Sequence, residues 1–183
     1  MHRLGIKRTL NIHSSSQKKQ ANGINIYKLS KSLLPIFNYI SLKRTMTRIN
    51  IIPVNQLYDQ HLIAEYREIT MIPAALKRTL NSKNGLDLSK IPNQYTLNKG
   101  HVYFFYNKGK YLDIRYNQIV KEMKNRGFSP DPNRNFPKDI FIKNNLYKNW
   151  TPTFKDCQII KKRINSKMKK RPNWYRKTTT KIK

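Results

Sequence analysis

Four stretches of the chain repeat their apolar residues at helical spacing. After Pro53, the residues Leu62, Tyr66 and Ile69 recur at i, i+4 and i+7, one stripe of a 3.6-residue helix, with Asn55 as the predicted N-cap. A shorter helix is expected after Pro73, through Ala74, Ala75, Leu76 and Leu80, because proline's fixed φ suits a first turn. The clearest pattern spans 110–126, where Leu112, Tyr116, Ile119, Val120 and Met123 share one face. Arg126 in its last turn and Gly127 just beyond make a natural C-terminus. The last helix opens at Thr153 and Asp156, spaced as in a capping box, and runs through Ile160 and Ile164 to Met168 before Pro172. Val102 to Tyr106 reads as a candidate strand, and one strand makes no sheet. The pattern predicts an all-α protein: a single compact helical domain with long irregular loops rich in Pro and Asn.

Residues 1–45 break this pattern. The run Ser14-Ser15-Ser16-Gln17-Lys18-Lys19-Gln20 has no apolar period and is expected to be disordered. The segment holds nine of the 38 Lys and Arg and none of the nine Asp and Glu. It fits a transit peptide, a basic tail, or an upstream start ahead of Met46, and the residues do not choose among these. The expected organisation is a basic extension over 1–45, outside the mature protein or disordered, and a folded domain over 46–183. The longest apolar stretch, Leu33 to Ile40, is broken by Pro35 and Asn38 and is too short to span a bilayer, so no membrane role is expected.

Charge narrows the partner. The formal net charge is +29, and removing the nine basic residues of the extension still leaves +20 on residues 46–183. Such a surface calls for a polyanion. On composition alone, a sequence-blind nucleic-acid binder is favoured over any enzyme. With 38% apolar and 11% aromatic residues there is still enough to build a core. The single cysteine, Cys157, excludes an intramolecular disulfide and suits a reducing, intracellular compartment.

Candidate chemistry lies in the first helix. His61, Glu65 and Glu68 follow at i, i+4 and i+7 and so line one face beside the apolar stripe. Taken alone, this is first a solvated face whose carboxylates pair with the abundant cations. His61 and Glu65 have zinc-ligand spacing, but no third ligand stands at suitable spacing, and no metal is expected.

The flanking residues change the balance. Met46-Thr47-Arg48-Ile49-Asn50, Asp59-Gln60-His61-Leu62 and Ala64-Glu65-Tyr66-Arg67-Glu68 come first. Gly100-His101-Val102 with Phe104-Phe105-Tyr106 and Lys108, Arg126-Gly127-Phe128, and Arg171-Pro172 with Trp174-Tyr175 follow. In order and at near-constant spacing over 46–183, these resemble the pyrimidine dimer DNA glycosylases, DNA-repair enzymes with an attached AP lyase activity.

The resemblance implies that the nucleophile is the α-amine of Thr47, exposed when translation begins at Met46 and the methionine is removed. An α-amine titrates near 7.7–8.0, so a useful fraction is neutral at pH 7, and the charges of Arg48 and Arg67 would lower it further. It implies that Glu68 is the essential acid and that Glu65 is structural, paired with a neighbouring cation. Arg48 and Arg67 would contact phosphates beside the lesion, with His61 and Gln60 assisting from the same helix. Arg163 and Lys167, four apart on the last helix, would face the duplex together. The implied partner is double-stranded DNA with pyrimidine dimers or abasic sites, bound by a monomer without cofactor. The rival is a basic nucleic-acid binder that kept the fold and lost catalysis. Two departures stand out. Thr70-Met71 occupies the place of the family's Pro-Arg, leaving Lys77 or Arg78 to supply that charge, and the aromatic tail is reduced to Trp174-Tyr175-Arg176-Lys177.

Overall fold

Leu62, Tyr66 and Ile69 are all buried, and they turn helix α1 (Asp59–Glu68) against the long helix α4 (Gly109–Asn125), whose own stripe of Leu112, Tyr116, Ile119 and Met123 is buried as well. The computed structural model describes residues 48–98 and 100–178; Thr47 and the extension over 1–45 lie outside them. Between and around that pair run α2 (Met71–Leu80), α3 (His101–Phe104), α5 (Asp139–Lys143) and α6 (Phe154–Lys170), with single 3-10 turns at Val54–Gln56 and Leu88–Lys90. The described residues contain no strand, so the fold is all-α. None of their helices is long and apolar enough to cross a membrane.

The element ends show why these residues stop and start where they do. Helix α4 closes on Arg126, and Gly127 then takes φ +81°. The Gly127 amide donates to the Lys124 carbonyl at 2.9 Å and the Phe128 amide to the Met123 carbonyl at 2.9 Å, the paired bonds of a Schellman stop. At the other end, a Cβ on Gly109 would meet the Phe141 ring at 2.5 Å, so only glycine lets α5 approach. Helix α6 opens on the expected capping box: Thr153 N–H donates to Asp156 Oδ2 at 2.9 Å, and Asp156 N–H donates to Thr153 Oγ1 at 3.2 Å.

Three expectations are corrected. Asn55 does not cap α1. It sits inside the first 3-10 turn, Tyr58 holds the cap position without a side-chain bond, and the Asp59 amide donates instead to the Arg176 carbonyl at 2.8 Å. Helix α2 begins at Met71, with Pro73 third in the helix, where its missing N–H has no intrahelical acceptor to lose. Val102–Tyr106 is the short helix α3 and its closing turns, not a strand. Phe104, Phe105 and Tyr106 are buried in succession, which an alternating strand cannot do, and the Phe105, Tyr106 and Lys108 amides each bond three residues back.

Candidate active site

The chain enters the described fold at Arg48, along a short segment whose backbone is held by side chains from far along the sequence. The Arg48 amide donates to Glu68 Oε2 at 2.8 Å, at the C-terminal end of α1. The Ile49 amide donates to His101 Nε2 at 3.0 Å, and the Ile49 carbonyl accepts from the Tyr95 hydroxyl at 3.0 Å. Arg115 donates to the carbonyls of Asn50 and Ile52, the latter at 2.7 Å. Beyond the part-buried Arg48 amide, each of these backbone groups would otherwise be a buried, unpaired polar atom, which favours this seat for the segment.

Glu68 is half-buried, and burial is the largest influence on its carboxyl, which is pushed up to about 6 despite the Arg48 amide and charge beside it. Glu65, one turn earlier, is wholly buried. It receives Arg115 Nε at 2.7 Å and Asn50 Nδ2 at 3.1 Å, so the carboxylate expected to pair with a cation does so, and the cation is Arg115. His101 is buried and pushed down to about 4, chiefly by burial. Its partners fix the tautomer: the Thr96 carbonyl, 2.7 Å from Nδ1, can only accept, and the Ile49 amide can only donate. His101 is therefore neutral, with its proton on Nδ1.

A second buried arginine steadies the start of α1. Arg126 donates to Glu122 Oε1 at 2.8 Å, to Asp59 Oδ1 at 2.9 Å and to the Leu57 carbonyl at 2.8 Å. Asp59 also accepts from the amide and hydroxyl of Thr178. The C-terminal segment thus lies against the first turn of α1.

The residues predicted to grip DNA fall into three groups. Arg48 shares the site with Glu68; burial lowers its guanidinium from its ordinary value, and its buried Nε has no hydrogen-bond partner. Arg67 immediately precedes Glu68 on α1 and has an exposed side chain. Gln60 and His61 face the tail. Gln60 Nε2 donates to the Trp174 carbonyl at 2.6 Å and its Oε1 accepts from the Arg176 amide at 2.9 Å. The His61 ring stacks on Tyr175 with centroids 4.7 Å apart, and burial lowers its basicity. Arg163, partly buried, and Lys167, exposed, lie a turn apart on α6; no hydrogen bond among the described residues joins them to Glu68. Thr70 and Lys77 line a groove of about 650 Å³ together with Ile140 and Lys143 of α5.

Sequence reasoning did not single out Arg115, Tyr95 or Asn50. Arg115 carried a readable signal, because it interrupts the buried face of α4 between Leu112 and Ile119, where an unpaired cation would be very costly. Tyr95 lies in a loop and carried none.

Compared with known families, residues 46–136 match the family model described as pyrimidine dimer DNA glycosylase. The matched segment contains Thr47, Arg48, Gln60, His61, Arg67 and Glu68, together with Tyr95, His101 and Arg115. Arg163 and Lys167 fall beyond it.

Proposed function

We propose that this chain, whose residues 46–136 match the pyrimidine dimer DNA glycosylase family, excises ultraviolet-induced pyrimidine dimers with the α-amine of Thr47 and then nicks the strand as an AP lyase. The observation that carries the reading is the 2.8 Å bond from the Arg48 amide to Glu68. The nitrogen of residue 47 is three covalent bonds from that amide, no more than about 4 Å away whatever its torsions. A free amine there would fall within reach of the half-buried Glu68 carboxylate.

The chemistry follows from this pair. The neutral amine forms a bond to C1′ of the damaged nucleotide as the C1′–N bond to the pyrimidine breaks, and the base leaves with that electron pair and a proton. Glu68, ionised at neutral pH, stabilises the positive charge that develops on the sugar. Ring opening at O4′ and loss of an amine proton give the imine. Removal of a C2′ proton then expels the 3′ phosphate. A carboxylate held near 6 is a better acceptor for that proton than one at its ordinary value. Arg48 and Arg67 would hold the flanking phosphates, and Arg163 and Lys167 the duplex further out. No step calls for a metal.

The test compares the chain begun at Thr47 with the chain begun at Met1, where that nitrogen is an amide without a free lone pair. Both are incubated with dimer-containing duplex and borohydride, in excess chelator. Only the Thr47-initiated protein should form a covalent adduct, linked at its first residue. Equal trapping of unprocessed full-length chain would assign the nucleophile to a lysine. Tight binding without any adduct from either form would favour the non-catalytic reading.

A further inference from the structure

Both backbone polar groups of Ile49 end on side chains that cannot easily move. His101 accepts from the amide at 3.0 Å while its own Nδ1–H is tied to the Thr96 carbonyl at 2.7 Å. Its ring is packed edge-on against Tyr95 and Phe105, with centroids 5.4 and 5.2 Å away. Tyr95, which donates to the Ile49 carbonyl at 3.0 Å, is in turn packed edge-on against Phe104 and stacked parallel to Trp150. The Ile49 side chain itself is wholly buried. One residue near the chain's entry is thus fixed at three points, and its immediate neighbour is bonded to Glu68.

We propose that His101 and Tyr95 are positioning residues for the reaction: by gripping the amide and carbonyl of Ile49 they set the direction of the segment ahead of it, and so aim the residue-47 amine along Glu68. This rests on the reading that residue 47 supplies the amine. A chain terminus is ordinarily the least ordered part of a protein, and each residue freed spreads its end over several backbone wells. The poised fraction of amine falls by roughly tenfold for each residue so released. The Arg48–Glu68 bond alone leaves a hinge at Ile49; the two ring side chains remove it. The phenyl ring of a phenylalanine at 101 would keep the packing and lose the acceptor. A glutamine there places an amide oxygen at the reach of Nε2 and so restores an acceptor for the Ile49 amide.

The test uses the Thr47-initiated chain unmutated and as His101→Phe, His101→Gln and Tyr95→Phe. Each is measured for single-turnover borohydride trapping, for affinity to dimer-containing duplex, and for melting temperature. His101→Phe should trap at least tenfold more slowly with affinity held within about threefold, and His101→Gln should recover most of the rate. Tyr95→Phe should slow trapping severalfold in the same pattern, and it decides the matter if His101→Phe does not fold. Unchanged trapping in His101→Phe or Tyr95→Phe overturns the proposal, as does loss of rate and affinity in parallel, which marks a purely structural role. Absence of an adduct at residue 47 in the unmutated chain overturns the nucleophile assignment itself, and the proposal with it.

Discussion

Arg115 Nε lies 2.7 Å from Glu65 Oε1 across 50 residues of sequence, with both side chains almost wholly removed from solvent. The same guanidinium bonds the carbonyls of Asn50 and Ile52, so one charge joins α1, α4 and the entry segment. A pair of this kind adds little compared with apolar residues of similar shape, but removing one partner strands the other. Arg115→Met should therefore lower stability by about 3–5 kcal/mol, read by denaturant unfolding. Glu65→Gln should also destabilise, while leaving residual trapping activity in whatever fraction is folded. If Arg115→Met unfolds at the same denaturant concentration as the parent, the buried pair is not holding these elements.

Glu68→Gln should behave in the opposite way. In the Thr47-initiated chain it should remove glycosylase and lyase activity and leave dimer affinity within a few-fold, because an amide cannot stabilise the cationic sugar. The stability effect follows from the sign of the shift. Glu68 is raised to about 6 in the fold from an ordinary 4.5, so between those values the folded chain holds more protons than the unfolded one. Its contribution to stability falls as pH rises through that window. At pH 7 the glutamine variant should be at least as stable as the parent, and the gap should close below about pH 4.5. Substantial nicking by Glu68→Gln would remove the carboxylate from the mechanism.

His101 slopes the other way. Burial pushes it down to about 4 from 6.5, so the unfolded chain takes up the proton first as pH falls. Its stabilising contribution is full above about 6.5 and is lost between there and 4. His101→Gln should flatten the acid side of the stability profile over that interval. Melting curves at half-unit pH steps, on parent and variant, make the comparison. An unaltered acid limb would mean that His101 titrates in the fold as it does in the unfolded chain, against its buried position.

The helices were legible where one apolar stripe, a cap and a stop agreed, as in α4 with Gly127 and α6 with Thr153 and Asp156. They were less so where a run of apolar residues had no period, as at Val102–Tyr106. The polar face of α1 was legible as a face, yet its three residues sit in different surroundings. At about 100° per residue, His61 and Glu68 lie within about 20° of one another. Glu65 is turned about 40–60° from both, toward the stripe of Leu62, Tyr66 and Ile69. That rotation takes Glu65 into the core to meet Arg115, while Glu68 stays at the entry segment. No local pattern announces which loop tyrosine or which histidine will find the Ile49 backbone, because that pairing is made across 46 and 52 residues.

Arg163 and Lys167 make a prediction that the matched segment does not reach. If this face of α6 meets the duplex, each phosphate contact contributes a slope of roughly −0.9 in log affinity against log salt. Replacing both with Ala should reduce the slope on undamaged duplex by nearly two. The binding should tolerate changes of DNA sequence before and after the substitution. An unchanged slope would turn this face of α6 away from DNA.

Gln60 and His61 were expected at the DNA, but their side chains are engaged by the tail. Gln60 holds the Trp174 carbonyl and the Arg176 amide, and His61 stacks on Tyr175. A residue that binds DNA through the tail and one that touches DNA itself give the same loss of affinity on single substitution. They part company in combination. Gln60→Ala should weaken DNA binding by several-fold, and so should truncation after Asn173, which removes residues 174–183 and with them the basic and aromatic side chains of Trp174 to Lys177. If Gln60 acts by seating the tail, the truncated chain should be insensitive to Gln60→Ala, because the group it positions is already gone. If it touches phosphate directly, the two losses should add in free energy. The same cycle with His61→Ala separates stacking on Tyr175 from a contact to the duplex, and limited proteolysis at Arg176 and Lys177 reports tail release without DNA. Additive losses in both cycles would place these two residues at the duplex and leave their contacts with the tail as a resting arrangement of the free protein.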